Sequence, residues 1–83
     1  MKKVFYSQRA VQFIKKLDAP VKKRFKMKIE SLAMGKSRGI FLKKPLQNYQ
    51  KARVGGYRIV FTERSKDVLY IDNIEHRSSV YKG

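Results

Sequence analysis

Apolar positions change period along the chain, from a short strand to a helical stretch and back to strands. Lys3 to Tyr6 predicts a first short strand. Ala10, Val11, Phe13, Ile14 and Leu17 then recur at helical spacing, with Arg9, Lys15 and Lys16 on the other side. Ser7 stands at the N-cap position, so a helix is expected over Gln8 to Leu17. Asp18-Ala19-Pro20 ends it and starts the next. Asp18 or Ala19 serves as cap, and Pro20 falls in the first turn, where its missing N–H goes unnoticed. Val21, Phe25, Ile29 and Leu32 repeat at spacings of four, four and three, and Gly35 supplies the stop. Two amphipathic helices joined by a tight turn form a helical hairpin.

Lys36 to Lys44 reads as a basic loop, punctuated by Gly39 and closed by Pro45. Leu46 to Val54, Tyr57 to Glu63 and Val68 to Glu75 read as three strands, joined by Gly55-Gly56 and by Arg64-Ser65-Lys66-Asp67. Connections this short make neighbouring strands antiparallel. Gly55-Gly56 can supply the positive φ angles of a two-residue primed turn, which sets Val54 against Tyr57, Arg53 against Arg58, Ala52 against Ile59 and Lys51 against Val60. One face of this hairpin is apolar, and the other carries Lys51, Arg53 and Arg58. Val68-Leu69-Tyr70-Ile71 is apolar on both faces, as suits a covered or central strand. The order β-α-α-β-β-β is an α+β fold, with an N-terminal strand and helical hairpin on one face of a mainly antiparallel sheet. The basic face is left partly open.

With 83 residues the chain is expected to be one domain, residues 1–83, near the lower size at which a single core suffices. Charge sharpens the picture. Lys and Arg number 21 against 6 Asp and Glu, a formal net charge of +15. A nucleic acid or an acidic protein could neutralise it. An anionic membrane fits less well, because the cations are spread over helices, loop and sheet. Arginines placed opposite each other cost roughly 0.2–1 kcal/mol per pair. Such an arrangement invites an anion, and a phosphodiester backbone is the obvious one. Absence of cysteine excludes disulfides and thiolate metal sites, and the single histidine argues against a His-based metal centre. The N-terminal apolar run is too short for a signal peptide and no stretch approaches a membrane span, so a cytoplasmic location without membrane attachment is expected.

Three features give the chain a family resemblance: the helical hairpin with Lys16-Leu17-Asp18 at its bend, Ala52-Arg53-Val54-Gly55-Gly56-Tyr57-Arg58-Ile59-Val60-Phe61, and the ending His76-Arg77-Ser78-Ser79-Val80-Tyr81. Together they resemble the RelE/ParE superfamily of toxins from type II toxin–antitoxin pairs, over essentially the whole chain. The resemblance implies a small cytoplasmic toxin held inactive by a cognate antitoxin. RelE-branch members act at the ribosome as messenger-RNA endonucleases (mRNA interferases), causing translation inhibition and growth arrest, whereas ParE-branch members poison DNA gyrase. The RelE-like activity is the leading reading. Gyrase inhibition, a non-catalytic RNA-binding module and an inactive toxin homologue are the alternatives.

Cleaving RNA through its own 2′-hydroxyl needs a proton acceptor, cations around the crowded phosphate and a donor for the 5′-oxygen. It needs no metal and no small-molecule cofactor. The resemblance implies phosphate contacts from Arg53 and Arg58, with Lys51 on the same strand face. It also implies roles for Arg77 and Tyr81 in the closing segment. Histidine is the side-chain type suited to proton transfer near neutral pH, so His76 is an acid–base candidate. Lys43, Lys44, Tyr49 and Lys82 are candidate RNA contacts. Glu75 and Tyr49 depart from the RelE pattern, which has arginine and lysine there, and Glu75 is itself a candidate base. Competing readings are a solvated or acid-paired sheet face for Arg53 and Arg58, and strand-end packing for His76. Tyr57, Phe61 and Tyr70 read as core, and Lys22, Lys23, Lys26 and Lys28 as a solvated helix face.

Overall fold

The structure, a computed structural model, describes residues 1–76. In chain order the elements are β1 (Lys3–Tyr6), α1 (Gln8–Lys15), α2 (Ala19–Ala33), β2 (Ile40–Phe41), β3 (Gln50–Val54), β4 (Tyr57–Ser65) and β5 (Val68–His76). The strands form one sheet in the order β1-β5-β4-β3-β2. Among the described residues, only β1 runs parallel to its neighbour, β5. The α+β architecture anticipated from the hydrophobic pattern is present, and its strand edges differ in instructive ways.

Local chemistry sets the helix ends. The Ser7 hydroxyl accepts from the Ala10 N–H at 3.1 Å and donates to the Asp72 carbonyl, so one residue both caps α1 and ties it to β5. α1 ends two residues before the expected Leu17, because Lys16 and Leu17 donate to the Phe13 and Ile14 carbonyls in tighter i→i+3 bonds. Asp18 caps α2 without a side-chain bond, and Gly35 stops it at φ 77°.

Both helices pack on the same face of the sheet. Ala10 from α1 and Phe25, Ile29, Leu32 and Ala33 from α2 meet Ala52, Val54, Ile59, Phe61, Leu69, Ile71 and Ile74 from the strands. Phe25, Ile59, Phe61, Leu69 and Ile71 are essentially sealed from water. Each such side chain contributes about 1.5–3 kcal/mol of transfer free energy. That apolar contact holds a strongly self-repelling chain together.

Two expectations are corrected between α2 and β3. The strand expected from Leu46 begins only at Gln50, because Tyr49 donates to the Leu46 carbonyl and Leu42 to the Tyr49 carbonyl, both at 2.9 Å. These bonds close residues 42–49 into a loop of turns and leave Leu46 exposed. Conversely, the segment read as loop contains β2, in which Ile40 and Phe41 pair with Lys51 and Gln50. Gly39 permits that approach. A Cβ there would lie 2.6 Å from Phe61 Cζ and 2.9 Å from Gln50 Cβ.

Among the described residues, no helix is long and apolar enough to cross a membrane. Gly39→Ala should overpack the β2–β3 corner and destabilise the fold by about 1–3 kcal/mol, read as a lower urea midpoint with an unchanged m-value.

Candidate nucleic-acid interface

The turn between β3 and β4 has Gly55 at φ 57°, a left-handed conformation that glycine adopts at little cost. It produces the register Val54↔Tyr57, Arg53↔Arg58, Ala52↔Ile59 and Lys51↔Val60. Strand alternation then sorts the side chains. Ala52, Val54 and Ile59 enter the core under the helices, while Lys51, Arg53 and Arg58 stand on the opposite, uncovered face.

A bulge in β5 decides what these cations meet. Val60 pairs with Asn73 and Phe61 with Ile71, which leaves Asp72 as the extra residue. Alternation therefore shifts by one: Leu69 and Ile71 face the core before the bulge, Ile74 after it. Glu75 is placed on the open face opposite Arg58. The Arg58 Nη2 donates to Glu75 Oε2 at 2.7 Å, with both side chains about 30% exposed (30% and 29%). Asn73 donates to the other Glu75 oxygen at 3.4 Å. Arg58 Nε is buried and has no hydrogen-bond partner among the described residues. Arg53 is exposed, and no ion pair engages it or Lys51 among the described residues. One guanidinium is thus neutralised and half-buried, while its cross-strand neighbour is open to an incoming anion.

The structure does not bring His76 to this group. The same shift of alternation pairs His76 with Tyr57 on the helix side, where the rings meet edge-on with centroids 5.0 Å apart. Tyr57 packs in turn on Phe13 and Phe25 at 5.8 and 5.3 Å. Lys43 and Lys44 lie exposed in the loop between β2 and β3. Tyr49, half-buried, lines an open depression of about 560 Å³ with Phe41, Asn48, Gln50, Thr62, Glu63 and Arg64. The Thr62 hydroxyl donates to the Asn48 carbonyl at 2.8 Å and pins the loop beside this depression. Arg77, Tyr81 and Lys82 lie outside the described residues.

Tyr70 departs from the core reading. It pairs with Thr62 and Phe5, placing it on the open face, and the Arg64 guanidinium carbon sits 4.0 Å from its ring centroid. The break in alternation between Ile71 and Ile74 was the available sign that β5 changes face partway.

A two-helix hairpin over one side of a five-stranded, mainly antiparallel sheet is the RelE-like α+β fold. The isolated RelE toxin of E. coli superposes with a TM-score of 0.76 at 20% identity, covering 99% of this chain and 93% of that one. RelE in the RelB–RelE antitoxin–toxin complex of Methanococcus jannaschii gives 0.68 at 27% identity, covering 94% and 95%. YoeB from Staphylococcus aureus, solved as a dimer, gives 0.75 at 19% identity over 90% and 95%. No curated protein sequence matches the chain. Residues 4–81 match the family described as ParE toxin of type II toxin–antitoxin system, parDE. The chain belongs to that family, within the RelE/ParE superfamily, and is a toxin of a type II toxin–antitoxin system.

Removing the Glu75 carboxylate leaves Arg58 half-buried with fewer acceptors. Glu75→Ala should cost about 1 kcal/mol, reduced from a fully buried value by solvent screening, and should lower the urea midpoint more at low salt than at high salt.

Proposed function

We propose that this toxin inhibits translation by cutting messenger RNA on the ribosome, with the open sheet face as its RNA-binding surface. One observation carries the reading: Arg53 and Arg58 are cross-strand neighbours on the face turned away from the helices, one exposed and one held by a carboxylate. In this reading Arg53 and Lys51 grip the phosphate backbone, and Arg58 stabilises the charge that builds on the phosphate during in-line attack. Glu75 takes the 2′-hydroxyl proton as the 2′-oxygen–phosphorus bond forms. The bond to the 5′-oxygen breaks, and that oxygen takes a proton from solvent water, leaving a 2′,3′-cyclic phosphate. Glu75 replaces His76 as the base because it shares a face with Arg58 and His76 does not. Arg77 and Tyr81 are assigned to leaving-group stabilisation by family resemblance, and Lys43, Lys44, Tyr49 and Lys82 to RNA contact outside the reacting phosphate.

The partner in this reading is a cognate antitoxin, supported by RelE-like chains of the same fold solved in complex with theirs. Acidic segments of that partner would offset the +15 charge. A second reading, gyrase inhibition by protein contact, is favoured by the ParE description of the matching family.

Purified protein added to a translation reaction should cut message within codons on the ribosome. Arg58→Ala should slow single-turnover cleavage roughly 10²–10³-fold, the scale of one lost transition-state donor. Glu75→Gln should slow cleavage while preserving or strengthening RNA binding. Intact message with inhibited DNA supercoiling would overturn this reading in favour of gyrase.

A further inference from the structure

A second feature of the open face lies away from the arginine pair. Thr62, at the level of Tyr70, is four residues along β4 from Arg58, about 13 Å at ~3.3 Å per residue. There Tyr70 is flanked by Phe5 on β1 and Thr62 on β4, and the Arg64 guanidinium covers its ring. Phe5 is 53% exposed and Arg64 is exposed. Arg64 also forms a wall of the 560 Å³ depression that Tyr49 and Asn48 close from the other side. An aromatic ring and a guanidinium held together, with space beside them and no core function, form a surface on which a planar group can stack.

We propose that Arg64 and Tyr70, with Phe5 beside them, form a seat for an unpaired base of single-stranded RNA, extending the backbone contacts of Arg53 and Lys51. This rests on the proposed reading of the open face as RNA-binding. Charge complementarity selects this occupant over a second copy of the chain. Lys3, Lys51, Arg53 and Arg58 share this face with Arg64, against the carboxylate of Glu75, so two copies face to face would repel strongly. A polyanion with planar, apolar bases satisfies both the charge and the rings, and stacking on an aromatic or a guanidinium plane is the ordinary way of holding splayed-out bases. Asn48 and Thr62 border the seat and offer polar groups to a base edge, although the Thr62 hydroxyl is already committed to the Asn48 carbonyl.

The test uses the full chain and a 2′-O-methyl oligonucleotide of eight residues, which cannot be cleaved through its 2′-position. It is compared with a copy carrying one central abasic site, and with a copy carrying 2-aminopurine there. Wild-type protein should bind the intact strand more tightly than the abasic one and quench 2-aminopurine. Arg64→Ala and Tyr70→Leu should each weaken intact-strand binding roughly 5- to 20-fold, the scale of one lost stack, and remove the preference over the abasic strand. Arg64→Lys should lose that preference while keeping the wild-type dependence on salt. Arg64 is exposed, so its variants report even where Tyr70→Leu fails to fold by circular dichroism. Equal binding of intact and abasic strands by the wild type overturns the seat. So does concentration-dependent dimerisation that Tyr70→Leu abolishes, which would make the patch a contact between copies. If Arg53→Ala weakens binding while the Arg64 and Tyr70 variants do not, the seat fails and the RNA-binding reading stands. If Arg53→Ala is also without effect, both fail.

Discussion

One extra residue in β5 governs the chemistry of this molecule. Because Asp72 is inserted opposite the Val60–Phe61 step of β4, every later side chain of the strand changes face. Without the insertion Glu75 would turn toward the helices and His76 toward the arginines. With it, a carboxylate meets Arg58 at 2.7 Å and the imidazole packs on Tyr57. The bulged residue is anchored as well: the Asp72 carbonyl accepts from Ser7, and its carboxylate pairs with Arg9 at 3.2 Å. The start of α1 therefore locks the alternation that composes the open face.

Two opposing terms shape that face. Core packing beneath the helices is dense and apolar, and it holds β3 and β4 in a register that places Arg53 opposite Arg58. The like charges work against that register, and the Glu75 carboxylate relieves only one of them. A buried Nε on Arg58 without a partner among the described residues adds a further unfavourable contribution. Proteins tolerate such local conflict mainly where a ligand resolves it. Here any resolving ligand must bring negative charge to the uncovered side of the sheet.

Much of this was readable from the chain. The double glycine with alternating neighbours specified the β3–β4 register residue by residue, and the spacings of Phe25, Ile29 and Leu32 specified the face of α2. The boundaries failed where backbone bonding overrode residue type: Leu46 looked like the start of a strand, yet turns through Tyr49 satisfied its neighbours locally. β2 was hidden because it has two residues, and what permits it is space against Phe61 rather than strand propensity at Ile40. Tyr70 reads as core because Val68-Leu69-Tyr70-Ile71 is apolar on both faces, whereas His76 takes the strand-end packing that competed with its acid–base reading. Period-two reasoning carried across Asp72 assigns faces wrongly on one side of it, and only the unequal spacing from Ile71 to Ile74 betrays the insertion.

The strand order adds a constraint in time. β5 lies between β1 and β4, so the sheet stays split until the last described strand slots between two elements already made. Pairing such as Tyr6 with Ile71 joins distant parts of the sequence, and contacts of that kind form late. A growing polypeptide that has exposed its helices but not yet released β5 lacks both the Arg58–Glu75 couple and the Tyr70 surface.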